Sequence, residues 1–193
     1  MSTLMVHVLA AYKYKPDGKP AFFVGNVAPD VIEEHQRKNR THFRDRSDRM
    51  EALKELADRI NWEDEFELGV LFHLFLDYHW DIGPIQKHRE QYTGENWFLD
   101  YRKDIGIIAV WHYHNEPWSQ MVWNSMREYR LPMEETICEI RRDELVAFIA
   151  KHHNRYMDTE PIRSIVFPPE MVEKFTNQVV MEFKKWCEKI GKS

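Results

Sequence analysis

Apolar residues along this chain recur at intervals of three and four, the spacing of one face of an α-helix. Nowhere do apolar and polar residues alternate for long enough to predict a strand, and the run Arg163–Phe167 is too short to count. Ser2 and Thr3 supply caps for a first helix reaching about Tyr14. Lys-Pro-Asp-Gly-Lys-Pro, residues 15–20, is a turn. The apolar stretch that follows, residues 21–30, reads as an irregular, well-packed loop because Gly25 and Pro29 interrupt it. Ser47 caps an amphipathic helix through Ile60. Asn61, with Asp64 three positions on, resembles a capping box for a helix running to about Trp80. Pro84 and Gly94 punctuate a connection, and a long helical segment from about Glu95 to Arg130 bends near Pro117. Pro132 opens another helix that passes through Tyr156, and Pro168 and Pro169 lead into a last one ending near Lys189. The pattern predicts one all-α domain over residues 1–193, a multi-helix bundle of six or seven helices.

One helix in this pattern is chemically odd. Gly-Val-Leu-Phe-His-Leu-Phe-Leu-Asp-Tyr-His-Trp-Asp, residues 69–81, is apolar nearly all round yet carries His73, Asp77, His79 and Asp81. At 100° per residue Gly69, His73, Asp77 and Trp80 share a face. An ionised carboxylate among Leu and Phe is costly unless it is paired or bound to a metal. A neutral His73 hydrogen-bonded to Asp77 in a helical core would explain this motif alone. The pattern repeats, however: His112 and Glu116 are again four apart among apolar neighbours, and His7 lies on a face with Thr3, Ala10 and Ala11. Two His–carboxylate pairs and a further inward His predict a metal site between buried helices, a known solution in helical bundles. Mixed nitrogen and oxygen ligands suit zinc, with iron or manganese less well matched, and one or two ions. His114 points away from the His112 face. His79 and Asp81 sit where the helix ends, and His35, His88, His152 and His153 lie in polar surroundings that predict surface positions.

Composition narrows the function classes. The chain is 43% hydrophobic and 31% charged, with 13% aromatics, which excludes disorder. The net charge of −5 and the lack of a long Lys/Arg run argue against a nucleic-acid duplex as partner. Arg40–Arg49 alternates Arg with Asp and reads as a solvated segment. Trp97, Trp111, Trp118 and Trp123 have apolar neighbours and read as core rather than base-stacking residues. Cys138 and Cys187 are far apart and read as reduced thiols. With no basic leader at the start and no apolar run of membrane-spanning length, the expected location is the cytoplasm.

The ordered set Phe-Val-Gly-Asn-Val-Ala-Pro-Asp (23–30), Thr-His-Phe (41–43), Gly-x-x-x-His-x-x-x-Asp (69–77) and His-x-x-x-Glu (112–116) resembles the zinc-dependent phospholipase C family. That family includes bacterial phosphatidylcholine-cleaving enzymes and fungal single-strand nucleases. The resemblance covers roughly residues 5–116. It implies that Asp30, His42, His73 and Asp77 surround a first metal and that His7 is a further ligand near it. It also implies that His112 and Glu116 serve a neighbouring metal and that Asp30 accepts the proton of the attacking water. Two features depart from the family. Six residues precede His7, where secreted members use a processed N-terminal residue as ligand. Gly83 stands six residues after Asp77, where they carry a His. One or two metal sites are therefore expected rather than three. The implied activity is hydrolysis of a small phosphoester or a phospholipid by metal-activated water. The alternative is a helical metal-binding protein whose ion is structural.

Overall fold

The computed structural model describes residues 3–130 and 142–192. Among them it is all-α, with no strand. Ten α-helices follow one another: α1 (Leu4–Tyr14), α2 (Pro20–Val27), α3 (His35–Thr41), α4 (Arg49–Ala57), α5 (Glu65–Trp80), α6 (Gln86–Gln91), α7 (Trp97–Asn115), α8 (Ser119–Glu128), α9 (Arg142–Asp158) and α10 (Pro169–Lys189). None is long and apolar enough to cross a membrane. The expected helix opening at Pro132 begins outside the described residues, as does Cys138; its later part is α9. Cys187 is a free, buried thiol, pushed up to about 12 by burial.

Side-chain caps set the starts of α1, α4 and α5, the first where the pattern placed it and the other two displaced from it. Thr3 caps α1. Asp48, not Ser47, caps α4 by accepting from the Glu51 amide at 2.9 Å. Asp64, not Asn61, caps α5, because its carboxylate takes both the Phe66 and Glu67 amides. Asn61 instead closes a local turn onto the Glu63 amide at 3.1 Å.

Proline acts twice, in opposite ways. Glu116 precedes Pro117 and is extended (φ −92°, ψ 114°), so the expected bent helix is two helices, α7 and α8. At Pro84 the chain stays helical: a π-helical turn over Asp81–Ile85 accommodates the missing amide, and α5 runs on into α6.

The expected loop at 21–30 is helix α2 followed by a 3-10 turn, Ala28–Val31. The reason is the helix it crosses. A methyl group at Gly25 would lie 2.0 Å from the Phe66 carbonyl oxygen, and one at Gly69 would lie 2.2 Å from the Phe22 carbonyl oxygen. The glycines let α2 and α5 meet backbone to backbone. α1 runs through the centre of the bundle, buried at every position from Leu4 to Ala11. α10 lays its apolar stripe, including Val179 and Phe183, against this core.

Candidate metal centre

The crossing of α2 and α5 sets the site. It brings the Asn26 carbonyl to the Nδ1 of His73 at 2.7 Å. His42, just past the end of α3, directs its own Nδ1 to the Lys38 carbonyl at 2.9 Å. A carbonyl only accepts, so both Nδ1 atoms carry a proton, and a neutral ring held this way presents its Nε2 as a lone pair. These two Nε2 atoms face each other at 3.3 Å inside the protein. The Asp30 carboxylate lies 3.5 Å from the Nε2 of His42. Three potential ligand atoms this close call for a proton or a metal cation among them.

The separations suit a small divalent ion. Ligand nitrogens at about 2.0–2.1 Å around a tetrahedral zinc stand ~3.3 Å apart. His7 adds to the argument. Its ring stacks on His73 with centroids 3.9 Å apart, and neither of its buried nitrogens has a hydrogen-bond partner among the described residues. An unsatisfied buried imidazole costs about 1–3 kcal/mol, so such groups call for an explanation. Ligand atoms of His7, Asp30 and His73 lie within 4.8 Å of one another, which puts His7 within reach of an ion held by the other two.

Electrostatics holds these groups in ligand-ready states. Burial pushes the His7 imidazole down to about 4, with only partial opposition from Asp30 and Asp77. Burial likewise lowers His73 well below its ordinary range, helped by His7. Asp30 goes the other way to its burial. The Lys38 ammonium, 2.9 Å away, and the His42 ring hold its carboxyl well below the usual carboxylate range. Neutral imidazoles and an ionised carboxylate are the forms that bind metal.

Asp77 has a different immediate partner. Its Oδ2 is ion-paired with Arg44, and Arg49 approaches it to 3.9 Å. Arg44 and Arg49 also bind Asp81, at 3.0 and 2.9 Å. The charge buried in α5 is thus neutralised by two arginines from the segment that reads as solvated, and both are largely covered. Burial opposes the charged form of Asp77, and positive charge around it, that of Arg44 included, keeps the carboxyl ionised. Phe43 sits between His42 and Arg44 with φ of 55°, an uncommon conformation for a bulky residue. This left-handed residue turns the chain so that a ring on one side and a guanidinium on the other both reach α5.

His112 and Glu116 also meet, at 3.2 Å, but in a separate group with Glu173 of α10. Lys13 is ion-paired with Glu173 and donates to Thr176 at 2.8 Å, so this group already holds a cation. Glu173 carried no signal in the sequence, since it comes from a helix far along the chain. His79 pairs with Glu182 at 3.1 Å, away from both groups. His35 is exposed as expected. His153 is not: it is buried, bonded to the Tyr113 hydroxyl at 2.9 Å and stacked on Trp123. Of the tryptophans, Trp123 is fully buried, while Trp97, Trp111 and Trp118 are half-buried.

Comparison with family models, with curated proteins and with solved structures finds no match for this chain. Functional assignment therefore stands on the geometry.

Next to the centre lies a cavity of about 250 Å³. Asp30 and Lys38 form its inner wall, α7 and α9 its sides, and Thr3 and Leu4 part of its floor.

Proposed function

We propose that the protein is a metal-dependent phosphoester hydrolase, with zinc the best-matched ion and iron or manganese the alternatives. The observation that supports this reading is the facing pair of Nε2 atoms of His42 and His73 beside an ionised Asp30. His7, Asp30, His42 and His73 would hold the ion. A dication bound there supplies a Lewis acid that lowers the pKa of water and offsets charge on phosphorus. Asn26 and Lys38 fix the two ring tautomers through their carbonyls. Asp30 sits between the centre and the cavity, positioned to accept a proton from a nucleophilic water on that side. The cationic lining of the cavity favours a phosphoester over a neutral ester.

The test has two parts. Elemental analysis of the purified protein is expected to give at least one transition metal per chain, lost in His73→Ala. Hydrolysis of a chromogenic phosphodiester is expected to stop on chelation and to fall at least a hundredfold in Asp30→Asn. Stoichiometric metal with no hydrolysis would make the ion structural. No metal at all would remove the site.

A further inference from the structure

The cavity beside Asp30 is lined by two helix faces turned toward each other. From α7 come Arg102, Gly106 and Ala109; from α9 come Phe148, His152 and Arg155. These positions recur at three and four residues, so each set forms one stripe. Four cationic side chains and two acids line the space. The acids are accounted for: Lys38 pairs with Asp30 at 2.9 Å, and Lys151 lies 3.9 Å from Glu33. What remains is Arg102 and Arg155, neither of which pairs with a carboxylate among the described residues. Gly106 lies between them, one turn on from Arg102. A methyl group there would come within 3.2 Å of the Arg155 Nη2, so the absent side chain leaves room for that guanidinium against α7. The lining therefore carries a net positive charge. Burial and then Arg155, Lys151 and Arg102 push the neighbouring His152 down to about 4, against the pull of Asp30.

We propose that this cavity is a binding site for a phosphoryl group, gripped by Arg102 and Arg155. Guanidinium groups match phosphate oxygens in pairs, and two converging on one small space favour a doubly charged group. Its assignment to the substrate rests on the hydrolase reading above. There it selects phosphoesters that carry a second, terminal phosphate beside the bond cleaved at the metal centre.

Inorganic phosphate is the probe, titrated calorimetrically into chelator-treated protein at low salt. Saturable binding is expected without metal, weakening as salt is added. Arg102→Gln and Arg155→Gln should each weaken it on the order of tenfold, and the double variant should abolish it. His73→Ala should bind phosphate like the parent protein. Both arginines are exposed, so the variants keep their fold, which circular dichroism checks. An absence of saturable binding at millimolar phosphate overturns the proposal, as does unchanged binding in the double variant. The phosphate isotherm needs no metal, so the hydrolase reading can fail while this site stands, and the reverse. With active enzyme, Arg155→Gln should raise KM for a substrate bearing a terminal phosphate and leave kcat nearly unchanged. An equal loss in kcat would overturn the substrate assignment.

Discussion

The Nδ1 of His73 donates to the main-chain carbonyl of Asn26 at 2.7 Å, across the backbone-to-backbone crossing of α2 and α5. The imidazole is therefore aimed by backbone, and the backbone is held in place by two missing side chains. Gly69→Ala puts a methyl group 2.2 Å from the Phe22 carbonyl oxygen, a clash that only separation of α2 and α5 relieves. Expected destabilisation is roughly 3 kcal/mol or more, read as a lower midpoint in urea, together with weakened metal binding. A Gly69→Ala protein as stable as the parent would show that the helices do not meet this closely.

Arg44 is a second point of leverage. Its partner Asp77 has no solvent exposure, so replacing the guanidinium by an apolar side chain strands much of a buried charge. Arg44→Met is expected to cost roughly 3 kcal/mol, less than a wholly unpaired carboxylate would, because Arg49 stays 3.9 Å away. Combining it with Asp77→Asn should recover part of that loss. Strictly additive effects in the double-mutant cycle would mean that the pair is not coupled.

Much of this arrangement can be read from the chain, and the remainder fails for identifiable reasons. His7 and His73 come together as their apolar helix faces suggest, while Asp30 and His42, which lie beside them, are implied only by the family resemblance. Helical periodicity identifies the fold class because nearly every buried element is a helix. It misses α2, because Gly25 marks a close crossing as readily as a loop. It misplaces two caps, because neighbouring polar residues compete for the same amides and only packing decides among them. It also misses Arg44 and Arg49. Local composition cannot show that a charged segment folds back onto charges buried thirty residues later.

A ligand that binds only the folded state stabilises it by mass action. If His7, Asp30, His42 and His73 hold an ion, adding zinc to chelator-treated protein at a hundred times its Kd should contribute about 2.7 kcal/mol. For a chain of this size that corresponds to a rise in Tm of roughly 5–10 °C. The rise should vanish in His73→Ala and shrink in His7→Ala, whose buried ring nitrogens are otherwise unsatisfied. His79→Ala should leave it unchanged, since that ring pairs with Glu182. Thermal shifts that respond to none of zinc, manganese or ferrous iron would contradict the site.

Acid should weaken the fold through its down-shifted histidines, His7 and His73 in the metal group and His152 and His153 outside it. His152 is held down to about 4 by burial and by Arg155 and Lys151, and burial with Arg127 lowers His153. In the unfolded chain both take up a proton near pH 6.5. The unfolded state therefore binds protons more readily over this range, and stability falls as pH drops below about 6.5. For His152 the loss ends near pH 4, where the folded form protonates as well. Above pH 6.5 neither residue makes stability depend on pH. Chemical denaturation between pH 4 and 8, on metal-free protein, measures the slope. His152→Gln should make it shallower between pH 4 and 6.5 and leave the value at pH 8 little changed. A slope unchanged by both His152→Gln and His153→Gln would place the acid sensitivity elsewhere in the molecule.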